Sequence, residues 1–225
     1  MLPIRDDTPS RTFPLVTFLL ILANGLVWLW EVSLGNALPS AYLHFGFIPG
    51  VLTGAHVPPL GALQPYILTA LTSMFMHGSW THILGNMLFL WIFGNNIEDH
   101  LGHGGYLLFY LAGGVVAAIV QLLSGPTSQV PTIGASGAIA AVMGAYFFLY
   151  PKAKIQTLVF FIFITIVRLP AWIFLGIWFL MQLFEGTFGA AQGVAVWAHV
   201  GGFLFGVVIA WISSRRGRTR TEYGI

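Results

Sequence analysis

The sequence of 225 residues contains no cysteine and very little charge. The absence of cysteine excludes disulfide bonds, a cysteine nucleophile and metal sites built on thiolates. Charged residues make up only 7% of the chain, whereas hydrophobic residues make up 57%. Soluble globular domains carry about 25% charged residues, so the composition excludes that class and predicts an integral membrane protein.

The small amount of charge also limits the partners that we expect. The net charge is only +2, although the isoelectric point is about 9.1, and the basic residues lie near the two ends and in one interior segment. A nucleic-acid-binding domain concentrates Lys and Arg on one face, so we expect the lipid bilayer as a partner and no nucleic acid. Without repeats or a soluble segment, residues 1–225 are predicted to form a single membrane domain.

Long apolar stretches predict how often the chain crosses the bilayer. A spanning helix needs about 20 mostly apolar residues, and we predict an all-α polytopic protein with six transmembrane helices. We interpret the first apolar stretch as a retained helix, because no small-residue cleavage site of a signal peptide follows it. The predicted spans are residues 13–32, 81–97, 106–123, 134–150, 169–186 and 193–213, between cytoplasmic tails at 1–12 and 214–225.

The connector between the first two spans has an unusual composition. From residue 33 to about residue 70 it carries no Lys, Arg, Asp or Glu and contains five prolines among apolar residues. It is too apolar for a solvated loop and too often broken by proline for a span. We therefore predict a short helical insert that lies on the bilayer.

Residues 155–185 are compatible with one span or with two, because Arg168 and Pro170 interrupt them. With six spans, residues 155–168 are a cytoplasmic interfacial segment, and all nine Lys and Arg residues lie on the cytoplasmic side. With seven spans, the basic cluster at residues 215–220 lies outside. Cytoplasmic segments are enriched in Lys and Arg, so we favour six spans.

Three polar side chains in the predicted spans are candidates for chemistry: Ser136, His82 and His199. Ionisable residues inside a membrane are costly and mark functional sites. Because the second, fourth and sixth spans run in the same direction, Ser136 and His82 lie at one depth, and His199 lies about 9 Å below the start of its span. Ser136 is either a helix-packing serine or a nucleophile that His199 activates as a general base.

Small residues favour close approach between the helices that carry Ser136 and His199. Gly202 and Gly206 are four residues apart on the sixth span, and Gly137 and Ala141 have the same spacing on the fourth, as have Ala140 and Gly144. This spacing lets helix backbones touch. The sequence therefore indicates that the two helices can bring the serine and the histidine into hydrogen-bonding range.

Acyl transfer also needs donors for the oxyanion that forms on the substrate. Asn86 follows His82 by four residues and projects from the same helix face, and the N–H groups that begin a helix, including that of Ser136, have no partner within it. We predict that these groups form an oxyanion hole. The approach to His82 contains an unusual number of polar residues, which predicts a water-filled cavity open to the outside: Thr72, Ser73, His77, Ser79 and Thr81.

At this point the motifs resemble a known family. The segments His82-Ile83-Leu84-Gly85-Asn86, Gly134-Ala135-Ser136-Gly137 and Ala198-His199-Val200-Gly201-Gly202 are similar, in this order and over nearly the whole chain, to those of the rhomboid intramembrane serine proteases. His77 corresponds to a further histidine of that family, here expected in the cavity.

The resemblance implies a six-helix rhomboid-like bundle with a membrane-embedded first loop. It also implies a Ser-His dyad without a carboxylate: Ser136 as nucleophile, His199 as general base, and an oxyanion hole that includes His82 and Asn86. The implied substrates are transmembrane helices of other proteins, which unwind near the outer face, present a small residue at the cut and enter beside the fifth helix.

The sequence departs from the family pattern in two places. Family members often carry Tyr or Phe four residues after the serine, where it packs on the base, whereas this chain has Ala140. A Trp-Arg pair found in some members is replaced by Leu68 and Thr69.

Two other functions remain as alternatives. A non-catalytic relative would bind transmembrane segments without cutting them, although binding alone has no use for a serine and histidine pair. A proton or ion transporter would use His82 and His199, but such relays usually contain buried carboxylates, which we do not expect here. We expect no cofactor and no metal, and a prokaryotic cytoplasmic membrane with the site towards the outer side.

Overall fold

A computed structural model describes residues 1–57, 65–160, 164–188 and 195–222 of the chain. The protein is mostly helical. In chain order the α-helices are α1 Leu15–Ser33, α2 Leu38–Phe45, α3 Pro49–Leu52, α4 Thr69–Thr72, α5 Trp80–Leu101, α6 His103–Ser124, α7 Ser136–Leu149, α8 Ala171–Phe188 and α9 Val196–Glu222. Short 3-10 turns lie at Gly35–Ala37, Tyr66–Leu68 and Ser73–Phe75.

Helix α7 lies at the centre of the bundle. Its ten consecutive residues from 137 to 146 are all buried, and α5, α6, α8 and α9 pack around it. A helix that is apolar on every side belongs in the interior of a bundle. The residue that begins α7, Ser136, is therefore held by protein on most sides.

Glycines allow α7 and α9 to touch along their backbones. A Cβ atom built on Gly202 would lie 2.1 Å from the Gly137 carbonyl oxygen, and one on Gly206 would lie 1.9 Å from the Ala141 carbonyl oxygen. On the facing helix, a Cβ atom on Gly144 would lie 2.0 Å from the Phe203 carbonyl oxygen. These positions accept only glycine, and the predicted close approach of the two helices is present.

Apolar helices of membrane length make up much of the described chain. Within the described residues, four helices are long and apolar enough to cross a membrane: Leu15–Ser33, His103–Ser124, Ala171–Phe188 and Val196–Arg215. Their outward faces carry large exposed apolar side chains such as Leu29 on α1 and Leu180 on α8. Helix α7 is apolar but has only 14 residues.

The prediction of an all-α protein is wrong in one region. Three antiparallel strands, β1 Leu2–Asp6, β2 Lys154–Phe160 and β3 Ile164–Pro170, form a sheet in the order β1-β2-β3. The register sets Asp6 opposite Ile155 and Lys154 opposite Pro170. The predicted interfacial segment 155–168 is thus most of a β-hairpin, apart from its residues 161–163, which lie outside the described residues.

Helices α7 and α8 each begin two residues later than predicted, for reasons visible in the backbone. Helix α7 begins at Ser136, because Gly134 has φ of +121° and lies outside helical geometry. Helix α8 begins at Ala171, because residues up to Pro170 belong to β3. The first two residues of the predicted span 193–213 and the last three of the predicted tail 214–225 lie outside the described residues.

The connector after α1 folds into short helical turns, α2 to α4, as far as it is described; residues 58–64 of the predicted insert lie outside. It is tied to the connector before α7, where Phe47 and Thr132 exchange backbone hydrogen bonds of 3.0 and 2.8 Å. The two connectors therefore meet at the end of the bundle where α7 begins, near Ser136.

Candidate active site

The structure brings Ser136 and His199 together. Ser136 is the first residue of α7 and His199 is the fourth residue of α9, and His199 Nε2 lies 2.7 Å from Ser136 Oγ. The contact follows from the close packing of the two helix backbones, because Gly137, the residue after Ser136, meets Gly202 of α9. A serine hydroxyl at this distance from an imidazole nitrogen can pass its proton to the ring.

The other side of the His199 ring meets helix α8. His199 Nδ1 lies 2.5 Å from Gln182 Oε1, and the Trp178 ring centroid lies 5.9 Å from that of His199 at an interplanar angle of 40°. Neither residue was predicted as part of the site. Ala140, four residues after Ser136, is buried against Gly202 and offers no ring to His199.

The hydrogen bonds of His82 define which of its nitrogens can donate. The backbone N–H of Gly78 donates to His82 Nδ1 over 3.3 Å, so the hydrogen of the neutral ring is on Nε2. A Cβ atom built on Gly134 would lie 2.7 Å from His82 Nε2 and 3.6 Å from Ser136 Oγ. The donor nitrogen of His82 therefore lies on the Ser136 side of its ring.

Asn86 is held from behind by His77. Asn86 Nδ2 lies 3.0 Å from His77 Nε2, and His77 Nδ1 lies 3.2 Å from the Phe75 carbonyl oxygen. The carbonyl accepts from Nδ1, so Nε2 accepts from Asn86, whose second amide hydrogen stays available. The expectation that His77 lies in the cavity needs correction: its side chain is fully buried behind Asn86 and His82.

A buried carboxylate fixes the segment that carries His77. Both oxygens of Glu31, at the end of α1, accept the backbone N–H of His77 at 3.1 Å. Glu31 is 1% exposed, and a buried carboxylate is retained only when hydrogen-bonded or paired. This support for the site was not predicted, because Glu31 lies 46 residues before His77 in the sequence.

A cavity of about 530 Å³ opens beside Ser136 between α5, α7, α8 and α9. Its polar wall consists of Ser79, Thr81, His82, Asn86, Ser136 and His199, and its apolar wall includes Phe89, Ile139, Met143 and Trp178. Of the predicted polar approach, Ser79 and Thr81 line the cavity. Thr72 instead donates to the Phe45 carbonyl over 2.7 Å, and Ser73 accepts the N–H of Gly134 with its carbonyl over 2.8 Å.

Across the described ranges of the chain, no three His, Asp or Glu side chains lie close enough together to hold a metal ion. His77 and His82 are neighbours, with ring centroids 5.0 Å apart, but each ring is already engaged by its own hydrogen-bond partner. The chemical groups that the described site presents are a serine hydroxyl, imidazole rings and an amide.

Comparison with known proteins assigns the family. A family model described as the Rhomboid domain matches residues 64–216. The chain belongs to the rhomboid family. The resemblance found in the sequence motifs is thereby confirmed, and the apolar helices together with the family make this rhomboid a multi-pass integral membrane protein.

Named relatives of this rhomboid come from bacteria and from organelles. It is 29% identical over 156 residues to Rhomboid protein 1, mitochondrial, of Saccharomyces cerevisiae, a match that covers 66% of this chain and 42% of the relative. It is 28% identical over 199 residues to Rhomboid-like protein 11, chloroplastic, of Arabidopsis thaliana, covering 86% of this chain and 66% of the relative.

A bacterial relative matches over a longer range. The rhomboid is 27% identical over 222 residues to Rhomboid protease GlpG of Salmonella newport, covering 97% of this chain and 70% of the relative. The chain thus spans 42% to 70% of the length of these three proteins.

Proposed function

We propose that this rhomboid is an intramembrane serine endopeptidase that cleaves transmembrane helices of other membrane proteins. The observation that carries the proposal is the 2.7 Å contact between Ser136 Oγ and His199 Nε2 at the wall of a cavity of about 530 Å³. The similarity to a protein named Rhomboid protease GlpG supports the same reaction.

The proposed reaction uses each group in turn. Ser136 Oγ attacks the carbonyl carbon of the scissile peptide bond while His199 Nε2 takes the hydroxyl proton. His199 then gives that proton to the leaving amine, which departs with the C-terminal part of the substrate and leaves an acyl ester on Ser136. Water from the cavity, deprotonated by His199, hydrolyses the ester and restores the serine.

Three donors are proposed to stabilise the oxyanion of each tetrahedral intermediate. They are His82 Nε2–H, the second hydrogen of Asn86 Nδ2 and the backbone N–H of Ser136 at the start of α7. The start of a helix adds a positive partial charge to that N–H. Removal of one oxyanion donor typically costs about 100- to 1,000-fold in kcat.

The proposed topology has six spans, α1 and α5 to α9, with both termini in the cytoplasm. Strand β1 near the N-terminus pairs with β2 after α7, which supports a common side for these segments. The hairpin of β2 and β3 supports six spans over seven, because strands occupy the segment that a seventh span would need. Helix α7 rises only about 21 Å in a hydrocarbon core of about 30 Å, so Ser136 lies below the outer surface.

The substrate proposed is a helix that can unwind locally. A peptide bond inside an intact α-helix has its carbonyl bonded to an N–H four residues later, so attack on that carbonyl requires an opened segment. The apolar wall of the cavity between α5 and α8 suits an entering transmembrane segment. The ring centroids of Phe89 on α5 and Phe174 on α8 lie 6.3 Å apart, and these two rings would separate to admit the segment. We also propose a prokaryotic cytoplasmic membrane, with the cavity towards its outer side.

The test is cleavage of a helix-destabilised transmembrane substrate by the purified, reconstituted protein. Wild type is expected to cleave and to react with a fluorophosphonate at Ser136. Ser136→Ala and His199→Ala should abolish both, while the lipid-facing Leu180→Ala retains them. Cleavage that survives in Ser136→Ala would exclude the proposed dyad, and stable substrate binding without cleavage in wild type would identify a non-catalytic binder.

A further inference from the structure

Helix α8 meets the His199 ring with two side chains that lie one helical turn apart. Gln182 Oε1 lies 2.5 Å from His199 Nδ1, and the Trp178 ring packs beside the imidazole at a centroid distance of 5.9 Å. Residues four apart on a helix project from the same face. Gln182 is 8% exposed, so solvent has little opportunity to replace its contact with the ring.

The orientation of the Gln182 amide follows from its second contact. Gln182 Nε2 donates to Glu185 Oε2 over 3.5 Å, which places the amide nitrogen towards Glu185. The amide oxygen therefore faces His199. Because an amide oxygen only accepts, the hydrogen in the contact with His199 belongs to Nδ1.

This hydrogen decides what the opposite nitrogen of His199 can do. A neutral imidazole with its hydrogen on Nδ1 has a lone pair on Nε2, and Nε2 lies 2.7 Å from Ser136 Oγ. In the other tautomer Nε2 would carry the hydrogen and could not take a proton from the serine. The contact with Gln182 thus selects the tautomer that a general base needs.

We propose that Gln182 is a positioning residue that holds His199 in its base-competent tautomer and orientation, so that Ser136, His199 and Gln182 form a hydrogen-bonded row. The proposal rests on the proposed function, in which His199 is the base. Glu185 keeps the Gln182 amide in the required orientation, and Trp178 limits rotation of the ring.

The expected effect of Gln182 is moderate. When His199 takes the serine proton it becomes a cation, and the hydrogen bond from Nδ1 to Gln182 becomes charge-assisted. Loss of one such bond corresponds to about 10- to 100-fold in rate. A neutral amide does not supply the full negative charge that a carboxylate places at this position in Ser-His-Asp enzymes.

Three variants of the full chain separate positioning from structure. Gln182→Leu keeps a side chain of similar volume but removes the oxygen that accepts the hydrogen bond from His199 Nδ1. Gln182→Glu combined with Glu185→Gln restores an acceptor for Nδ1–H and keeps the charge of the pair. Met181→Leu changes the adjacent, lipid-exposed residue of α8 and serves as the matched control.

For each variant, kcat and KM are measured on the transmembrane substrate, and Tm is measured by thermal unfolding. The tautomer of His199 is determined by ¹⁵N NMR of protein labelled at histidine. The His199 signals are assigned as those that disappear in His199→Asn. We expect Gln182→Leu to lower kcat about 10- to 100-fold, with KM and Tm little changed. The exchanged pair should recover most of kcat, and Met181→Leu should match wild type. In wild type the His199 signals should show a hydrogen on Nδ1, and Gln182→Leu should mix the tautomers.

Wild-type kcat in Gln182→Leu would overturn the proposal, as would a His199 ring without a hydrogen on Nδ1. A loss of kcat accompanied by a fall in Tm and not recovered by the exchanged pair would also overturn it, in favour of a purely structural role. If wild type and Ser136→Ala both fail to cleave, the proposed protease function has failed, and the NMR result still decides whether Gln182 selects the tautomer.

Discussion

Gly134, two residues before the serine, lies where two separate restrictions meet. Its φ of +121° is a conformation that side chains with a Cβ atom rarely adopt. A Cβ atom there would also lie 2.7 Å from His82 Nε2. The glycine therefore permits both the turn into α7 and the position of the His82 ring beside Ser136.

Gly134→Ala is expected to reduce activity strongly, because the new methyl group displaces His82 from its place in the proposed oxyanion hole. We expect a loss in kcat of the order of that for removing one oxyanion donor, about 100-fold, measured as cleavage of the transmembrane substrate. Gly25→Ala on α1, where a Cβ atom meets nothing within 4 Å, is the control. Wild-type kcat in Gly134→Ala would contradict this account of the residue.

The sequence was informative about candidate site residues whose polar side chains are unusual in a membrane span. Ser136, His82 and His199 could be selected because polar or ionisable groups in apolar spans need a reason to be there. Gln182 and Trp178 could not be selected in the same way. A neutral amide and an aromatic ring are both ordinary in membrane helices, and their contact with His199 depends on how α8 crosses α9. The available signal was the presence of Gln182 and Glu185 within a mostly apolar stretch.

At the level of helices, the pair α7 and α9 determines the distance between the proposed nucleophile and base. Gly202 and Gly206 on α9 place its backbone against the carbonyl groups of Gly137 and Ala141. In an isolated helix, alanine would be more favourable than glycine by about 0.5–1 kcal/mol. The close approach reverses this preference, because a methyl group has no space between the two backbones.

Gly206→Ala is therefore expected to destabilise the protein despite its better helix propensity. Overpacking of a well-packed interface costs about 1–3 kcal/mol, and the separation of α7 from α9 should also lengthen the contact between Ser136 and His199. Thermal unfolding and cleavage are measured together, with Gly25→Ala as the control. A Tm equal to or above that of wild type would show that the two helices can separate without cost.

The sheet shows why an element can be missed when its partner is distant. Residues 164–167 are β-branched without exception, which favours a strand, but apolar β-branched residues are also normal in membrane helices. The pairing that decides between the two structures joins residues 2–6 to residues about 150 positions later. Most helix ends were predictable only to within a few residues for a similar reason, since turns and strand pairs set them. Helix α9 continues beyond its predicted end at residue 213 to Glu222.

Asp6, at the end of β1, makes the sheet sensitive to pH. Burial raises the pKa of the Asp6 carboxyl above its ordinary value, against the opposing effect of the hydrogen bond from Tyr146. The folded protein therefore binds this proton more tightly than the unfolded chain does. The contribution of Asp6 to stability is full at low pH and is lost as the pH rises from the ordinary carboxyl pKa through the raised one.

Asp6→Asn should remove this dependence, because the amide oxygen still accepts from Tyr146 OH, which lies 2.5 Å from the carboxylate in the wild type. We expect a higher Tm than wild type near pH 7 and a flatter profile of Tm against pH above the ordinary carboxyl pKa of about 4. Asp7→Asn removes the same charge from an exposed neighbour and serves as the control. A wild-type pH profile in Asp6→Asn would contradict the assignment.

At the scale of the whole molecule, the proposed topology can be read out with introduced thiols. Since the chain contains no cysteine, each introduced cysteine is the only reactive thiol. Ser10→Cys and Lys152→Cys, both at exposed positions, and a cysteine added after Ile225 should react with a membrane-impermeant maleimide only after lysis. Thr127→Cys, exposed between α6 and α7, should react in intact cells. External labelling at the C-terminal position would exclude the arrangement with six spans.

The burial of α7 affects which peptide bond of a substrate helix can reach Ser136. Because its neighbours cover residues 137–146, the depth of Ser136 is fixed by the protein and not by the lipid. A substrate helix, in contrast, takes its vertical position from the bilayer. In a thicker bilayer the substrate helix would shift vertically relative to Ser136. Each shift of about 1.5 Å along the helix axis would bring the next peptide bond to the serine. The thickness of the bilayer would then determine which peptide bond of the substrate reaches Ser136.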